Sequence, residues 1–300
     1  MSTDPTPFRI GVIGGSGLYD IDGLVDLQEE RVRTPFGAPS DDYVRGRYQG
    51  LTAADGRPVE LVFLPRHGRG HVFNPSEVPY RANIWGMKKL GCDWIVSISA
   101  VGSLREDIVP GHMVMVDQFI DRTKGVRPAT FYEGGIVGHV GFADPVCETL
   151  RGYLVTAGKQ AGATVHDGGT YVCMEGPAFS TRAESHLYRS WGASVIGMTN
   201  LTEAKLAREA EISYATVAMS TDYDCWYGGH DDVSVEAVIA VIQANVSTAR
   251  AIVKAVAPQI AAHPGPSPMS GCMAQAIMTA RDRISADRRE ALAPLIGRYV

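Results

Sequence analysis

A chain of 300 residues with 45% hydrophobic and 20% charged side chains can bury a large core, either as one big α/β domain or as two small ones. Its net charge of −5 argues against general nucleic-acid binding, which needs a basic face. Met1 to Pro7 is polar and proline-bearing, and no apolar run reaches the length of a membrane span, so the expectation is a cytoplasmic protein that meets no membrane.

The first element in chain order is the apolar run Phe8–Ile13, which breaks into Gly14-Gly15-Ser16-Gly17. This is how a buried strand ends in a loop whose backbone can approach an anion. The dinucleotide fingerprint would need a third glycine where Asp20 stands, with a helix to follow, and Asp20 to Gly23 are turn formers instead. A Rossmann oxidoreductase therefore fits poorly. The missing Gly-Lys-Ser/Thr ending excludes a Walker loop. Taken alone, the loop leaves a plain turn and an anion site equally open.

Further strand-like runs are Glu60–Leu64, Trp94–Ser99, Met113–Val116, Thr170–Met174, Ser194–Met198 and Ser213–Met219. Helical patterns fall at Tyr80–Leu90, Pro145–Ala161, Ser180–Trp191, Leu201–Ala210 and Ser234–Ala257, the last with apolar residues at helical spacing from Val235 to Val253. Strands apolar on both faces, alternating with helices, predict a three-layer α/β fold with a mostly parallel sheet. A Pro/Gly/Ser segment from Pro264 to Gly271 sets off a final helical pair, Cys272–Ala280 and Ala286–Ile296. We read it as an arm (261–300) belonging to the same unit as the main body (8–260).

The five cysteines are odd in number, widely spaced and never in C-x-x-C, which suits a reducing compartment and small buried side chains. A catalytic thiol at Cys225 is a minor alternative. No zinc spacing occurs: His67 and His71 are four apart, but Gly68 and Gly70 oppose the helix that would align them. No metal is expected.

Ligands of open α/β sheets sit beyond the carboxyl ends of the strands. There the chain places Ser16, Arg66-His67, Ser99, Met198-Thr199 and Asp222-Tyr223-Asp224. The first group offers hydroxyls and a guanidinium fork suited to an oxyanion. In the second, Asp222 and Asp224 are paired carboxylates beside Tyr223 and Trp226. Burial would raise their pKa values, so that one could give a proton to a leaving group. The bland alternatives are a surface ion pair for Arg66, a capping histidine for His67 and a solvated Asx-type turn for the acids.

Seven motifs occur in order: Gly14-Gly15-Ser16-Gly17, Arg66-His67-Gly68, Ser99 to Ser103, Asp117 to Thr123, Glu175-Gly176-Pro177-Ala178-Phe179-Ser180, Gly197-Met198-Thr199 and Thr221 to Trp226. Together they resemble the methylthioadenosine phosphorylases, a branch of the trimeric purine nucleoside phosphorylases, over about Ile10 to Pro258. The resemblance implies a single three-layer domain with a twisted mixed sheet, and phosphorolysis of 5'-methylthioadenosine to adenine and 5-methylthioribose 1-phosphate. No organic cofactor is implied, inorganic phosphate being the co-substrate. It implies phosphate held by Ser16, Arg66, His67, Ser99, Ala100 and Thr199. Met198 would pack on the sugar and Phe179 on the base, with Asp222 on the purine and Asp224 in support. Substrate choice would fall to Ser180, Val235 and Val238, and to His139 reaching in from the adjacent subunit of a homotrimer. Relatives acting on 6-oxopurines place Asn at the position of Asp222, so Asp222 favours a 6-amino purine. Asn200 would lie beside the base, and Met273, Ile277 or one of their neighbours in the C-terminal arm would cap the alkylthio pocket. The alternatives are a broader purine nucleoside phosphorylase and a non-catalytic nucleotide-binding module.

Overall fold

The structure, a computed structural model, describes residues 6–15, 17–228 and 235–300. Four strands form its central frame: β1 (Phe8–Gly14), β4 (Pro58–Pro65), β5 (Cys92–Ser103) and β11 (Ser213–Asp222). β1 lies parallel between β4 and β5, and β11 lies parallel to β5 on the other side. Two-sided burial explains their composition. Along β4, Leu61 and Phe63 pack in one core cluster and Val62 and Leu64 in the other. Such strands read as continuous apolar runs rather than alternating ones.

The first cluster lies under α2 (Glu148–Gln160) and α5 (Val235–Ala261), which pack on each other. The second lies under α1 (Tyr80–Lys89) and α4 (Asn200–Glu209). This is the three-layer α/β arrangement, but the sheet is more mixed than the parallel reading suggested. β2 (Leu24–Glu30) and β3 (Tyr43–Thr52) add an antiparallel edge to β4. Their sequences are too polar to be read as strands. Pairing and ion bridges such as Arg47–Asp26 and Arg45–Glu30 hold them, as a solvated edge permits. β6 (Met113–Met115) and β8 (Val165–Asp167) extend the sheet beyond β11. On the other side, β7 (Gln118–Arg122), β9 (Thr170–Met174) and β10 (Val195–Gly197) are mutually parallel.

β5 positions the site. Its first half is flanked by β1 and β11, but its last two residues, Gly102 and Ser103, pair with β10 in antiparallel fashion. β1 has left the ladder by then, so the strand ends splay apart. Between them opens a crevice of the kind found where the connection order switches.

Two expectations are corrected here. Residues 272–280 form turns rather than a helix; beyond them come a 3-10 turn at Arg281–Arg283 and two short α-helices, α6 (Ala286–Ala291) and α7 (Ala293–Ile296). Met273 is fully buried in the cluster under α1, along with Leu292, Leu295 and Ile296, so Met273 is core and not a pocket cap.

Candidate active site

Two cavities follow one another along β5. The first, of about 320 Å3, is lined by Gly14, Gly15, Arg66, His67, Ser99 and Ala100, with Val246 and Ala249 of α5 closing it. The second, of about 70 Å3, is lined by Gly102, Phe179, Met198, Asp222 and Asp224 among others.

The wall of the first cavity is stitched from two strand ends. The Arg66 backbone N–H donates to Gly14 O at 2.9 Å, carrying the β1–β4 pairing one step past the strands. Arg250 of α5 clamps the glycine loop from outside, its Nε and Nη2 reaching Gly17 O at 2.9 and 2.7 Å. Ser16 lies outside the described residues.

Arg66 is 4% exposed, and most of its fork faces inward. Nε donates to Glu203 Oε1 at 2.5 Å, and Nη2 to Glu203 Oε2 at 3.2 Å and Ser97 Oγ at 2.6 Å. Nη1 donates to Ile98 O at 3.0 Å. Four of the five guanidinium N–H groups are thereby used, leaving one on Nη1 for a ligand. The sequence reading expected a free fork. Burial pushes the guanidinium pKa down, and the Glu203 charge and hydrogen bonds more than reverse it, so Arg66 is held charged.

His67 Nδ1 meets Phe73 O at 2.8 Å, and His71 stacks on its ring with centroids 4.2 Å apart. A carbonyl only accepts, so Nδ1 carries the hydrogen. Burial, then the adjacent Arg66 charge, lowers the pKa to about 4, so the ring is neutral and Nε2 is left as an acceptor. Ser99 is buried on the same wall, its hydroxyl 3.3 Å from Ala100 O.

In the second cavity a bulge in β11 between Ser220 and Asp222 sets Asp222 opposite Gly102. Bulges re-aim side chains in this way. A Cβ on Gly102 would stand 2.9 Å from Asp222 Oδ1, so only glycine lets β5 approach so closely. Asp222 Oδ2 accepts from Thr221 Oγ1 and Oδ1 from the Asp224 N–H, both at 2.7 Å. The Asx-type turn is therefore real, but it is not solvated. Asp224 is 9% exposed and sits at φ 50°, in the left-handed region. Burial raises both carboxyl pKa values, Asp224 raises that of Asp222 further, and bonds to the charged form offset only part of this.

The remaining candidates divide. Met198 and Phe179 line the second cavity, with Phe179 46% exposed. Thr199 is buried between Met198 and α4, its side chain making no cap to that helix, and it lines neither cavity. Ser180 also lines neither; its hydroxyl is 3.6 Å from Met174 Sδ. The side chains of Val235 and Val238 lie outside what the structure describes. His139 is exposed and lines neither cavity of its own chain.

Asn200 is corrected outright: it is fully buried, donates its two Nδ2 hydrogens to Ser97 Oγ and Tyr214 OH, both at 2.8 Å, with Thr216 Oγ1 3.1 Å away, and lies beneath Arg66 and not beside the second cavity. Cys225 donates to Ser180 O at 3.3 Å and burial raises its pKa, which opposes a thiolate nucleophile.

Sequence reasoning missed Glu203, Ser97 and Arg127. The signal for the first two was a polar residue on an otherwise buried face of α4 and one inside the β5 apolar run. Arg127 carried no periodic signal. It donates to the carbonyls of Met198 and Glu175, and to Glu175 Oε1 at 3.1 Å, bracing the loops that carry Met198 and Phe179.

S-methyl-5'-thioadenosine phosphorylase of Geobacter sulfurreducens is 57% identical over 291 residues, covering 97% of this chain and 99% of that protein. The enzyme of the same name from Thermosynechococcus vestitus is 52% identical, with coverages of 97% and 99%. Among solved structures, a methylthioadenosine phosphorylase from an antarctic soil metagenomic library superposes with TM-score 0.89 at 45% identity, covering 97% of this chain and 99% of that one. That of Schistosoma mansoni in complex with adenine gives 0.82 at 36% identity, covering 90% and 99%. Residues 9–258 match the phosphorylase superfamily, and the chain belongs to that family.

Proposed function

We propose that the chain catalyses phosphorolysis of S-methyl-5'-thioadenosine, giving adenine and 5-methylthio-α-D-ribose 1-phosphate. The observation that carries this is the pairing of two cavities on one strand: an anion wall with a pinned cation, and a base slot with a half-buried acid, Asp222, a buried one, Asp224, and no cation among the described ion pairs. The same activity is named for relatives above 50% identity over nearly the whole chain, and a Schistosoma mansoni neighbour was solved with methylthioadenosine bound.

The residues divide the work as follows. Phosphate lies against the single free N–H of Arg66, the Ser99 hydroxyl, and backbone around Ala100 and the glycine loop, with Ser16 adding a hydroxyl. His67 Nε2 accepts from a protonated phosphate oxygen. Held there, phosphate attacks the anomeric carbon as the C1'–N9 bond breaks, and positioning supplies much of the rate. Electrons flow into the purine. Asp222, held toward its neutral form, donates its proton to N7 while its other oxygen accepts from the 6-amino group. A 6-oxo group would meet that acceptor with another, which is the physical basis of selection. Asp224 keeps Asp222 in place, Met198 packs on the ribose and Phe179 covers the base. The chemistry asks for no metal or organic cofactor.

We further infer a homotrimer in which His139 completes a neighbour's site. Its support is the exposure of His139 outside its own cavities, beside the exposed Val137 and Met278. A cytoplasmic location accords with five unpaired cysteines.

The test is release of base from methylthioadenosine, adenosine and inosine, each with and without phosphate. Phosphate-dependent release fastest from methylthioadenosine is expected. Inosine as the best substrate would point to a broader nucleoside phosphorylase and refute the role given to Asp222.

A further inference from the structure

Below the anion wall lies a network of six side chains, Arg66 just past β4 and the others on β5, α4 and β11. Glu203 is 2% exposed and its carboxylate accepts from Arg66 twice, from Ser97 Oγ at 2.9 Å and from Tyr214 OH at 2.8 Å. Ser97 in turn accepts from Arg66 Nη2 and Asn200 Nδ2, and Tyr214 accepts from Asn200 Nδ2 and Thr216 Oγ1. Both hydroxyls have thus spent their hydrogen on Glu203, and none can turn to solvate a ligand. Asn200 and Glu203 stand three apart at the start of α4, on the face that meets the sheet.

This arrangement is unusual for a ligand-binding arginine. The cation that faces the cavity already owns a counter-ion, and all but one of its donors are spent inside the protein. We propose that Glu203 is a positioning residue and electrostatic counterweight for Arg66. It pins the guanidinium so that one N–H meets phosphate, and it cancels enough charge that phosphate is held loosely and in a single place. The inference rests on reading the Arg66 cavity as the phosphate site.

The consequence runs against intuition. Without the Glu203 charge, phosphate is the one anion left to a buried cation. Binding should tighten while turnover falls, because a guanidinium free to turn holds phosphate away from the attack line. A Glu203 that served only to stabilise the fold would predict weaker binding and slower turnover together.

The experiment titrates inorganic phosphate against the full-length protein by thermal shift, with steady-state kinetics alongside. Phosphate should raise the Tm of the unsubstituted protein, since a ligand of the native state stabilises it. If it does not, the phosphate-site reading fails and not merely this proposal. Given that shift, Glu203→Gln should bind phosphate about tenfold more tightly, the order expected from removing a charge near contact distance. Its kcat should fall by a similar factor. Glu203→Asp keeps the charge and should retain a phosphate Kd close to that of the unsubstituted protein. A Glu203→Gln protein that binds phosphate equally or more weakly overturns the proposal. Should that variant fail to fold, Ser97→Ala decides: it frees an Nη2 hydrogen without changing charge, and roughly threefold tighter phosphate binding is expected. Unchanged or weaker binding there is equally fatal.

Discussion

The two halves of the cleft bury charge to opposite ends. In the anion half, a buried cation is answered by a buried carboxylate, and Arg66 stays charged and rigid. In the base half, a half-buried carboxyl, Asp222, and a buried one, Asp224, have no cation among the described ion pairs, and the charges that reach them, Asp224 on Asp222 and Glu184 on Asp224, have the same sign. Burial disfavours the charged form unless a partner compensates. With the partner, the site gains a fixed donor for an anion. Without it, the site gains an acid that holds its proton more firmly than a free carboxyl does. On the mechanism proposed above, one physical effect thus supplies both a place for the nucleophile and a proton for the leaving group.

This contrast can be broken most directly at Asp222. Asp222→Ala should lower kcat/KM for methylthioadenosine by about 10²- to 10⁴-fold, the usual worth of a positioned acid. Asp222→Asn should shift preference toward 6-oxopurines in a competition between methylthioadenosine and inosine, and an unchanged preference would remove Asp222 from base selection.

Next in size is Arg66→Met. Removing one partner of a buried pair strands the other, and urea melts should show a loss of about 3–5 kcal/mol. The Michaelis constant for phosphate should rise as well. A variant as stable as its parent would mean that Glu203 is satisfied without the arginine.

A smaller effect is expected at the seam between the halves. Gly102→Ala puts a Cβ 2.9 Å from Asp222 Oδ1 and 3.1 Å from Ile196. The carboxylate must give way, and kcat/KM should fall by about 10- to 100-fold with the phosphate Kd unchanged, since a displacement of this size is enough to misplace reacting groups. Equal losses on both substrates would show that the halves are not independent.

The smallest effect sharpens the comparison from outside the cleft. Glu209, at the end of α4, is another buried acid, raised by burial from 4.5 to about 7 even though Thr130 Oγ1 and the Phe131 N–H both donate to it at 2.6 Å. A raised folded-state pKa means that its contribution to stability is full below about pH 4.5 and lost as pH rises through 7. Glu209→Gln should flatten the fall of Tm between pH 5 and 8, gaining about 1–3 kcal/mol at the alkaline end. Its kcat/KM should not move. If it did, burial of an acid alone would fail to separate structural carboxyls from those of the site.

Much of this molecule was readable in one dimension. The strands β1, β4, β5 and β11 declare themselves as apolar runs because they are buried on both faces, and α1, α2 and α4 through their spacing. The residues just past those strands were legible for the same reason: an apolar run that ends in Arg66-His67 or Asp222-Tyr223-Asp224 marks where the chain leaves the core. The acidity of the base half could also be anticipated, since paired carboxylates after a buried strand have few routes to solvent.

What the sequence left open was decided by distance across the fold. Arg66 and Glu203 are separated by 137 positions, and only the packing of α4 onto β11 turns an expected fork for phosphate into a guanidinium with one N–H to spare. Asn200 looks like a base contact because it follows Met198-Thr199, but the helix that starts there turns it under the sheet. The edge strand β2 and most of β3 lack an apolar signal because backbone pairing makes them strands, side-chain burial being confined to the start of β3 at Tyr43 and Val44. The stretch 272–280 carries helix-compatible residues and still forms turns, with Met273 drawn into the core under α1. The chain's local pattern is written by burial, which each residue experiences largely by itself. Hydrogen-bond capacity and charge compensation belong to pairs, and the partners are known only once the tertiary structure has brought them together.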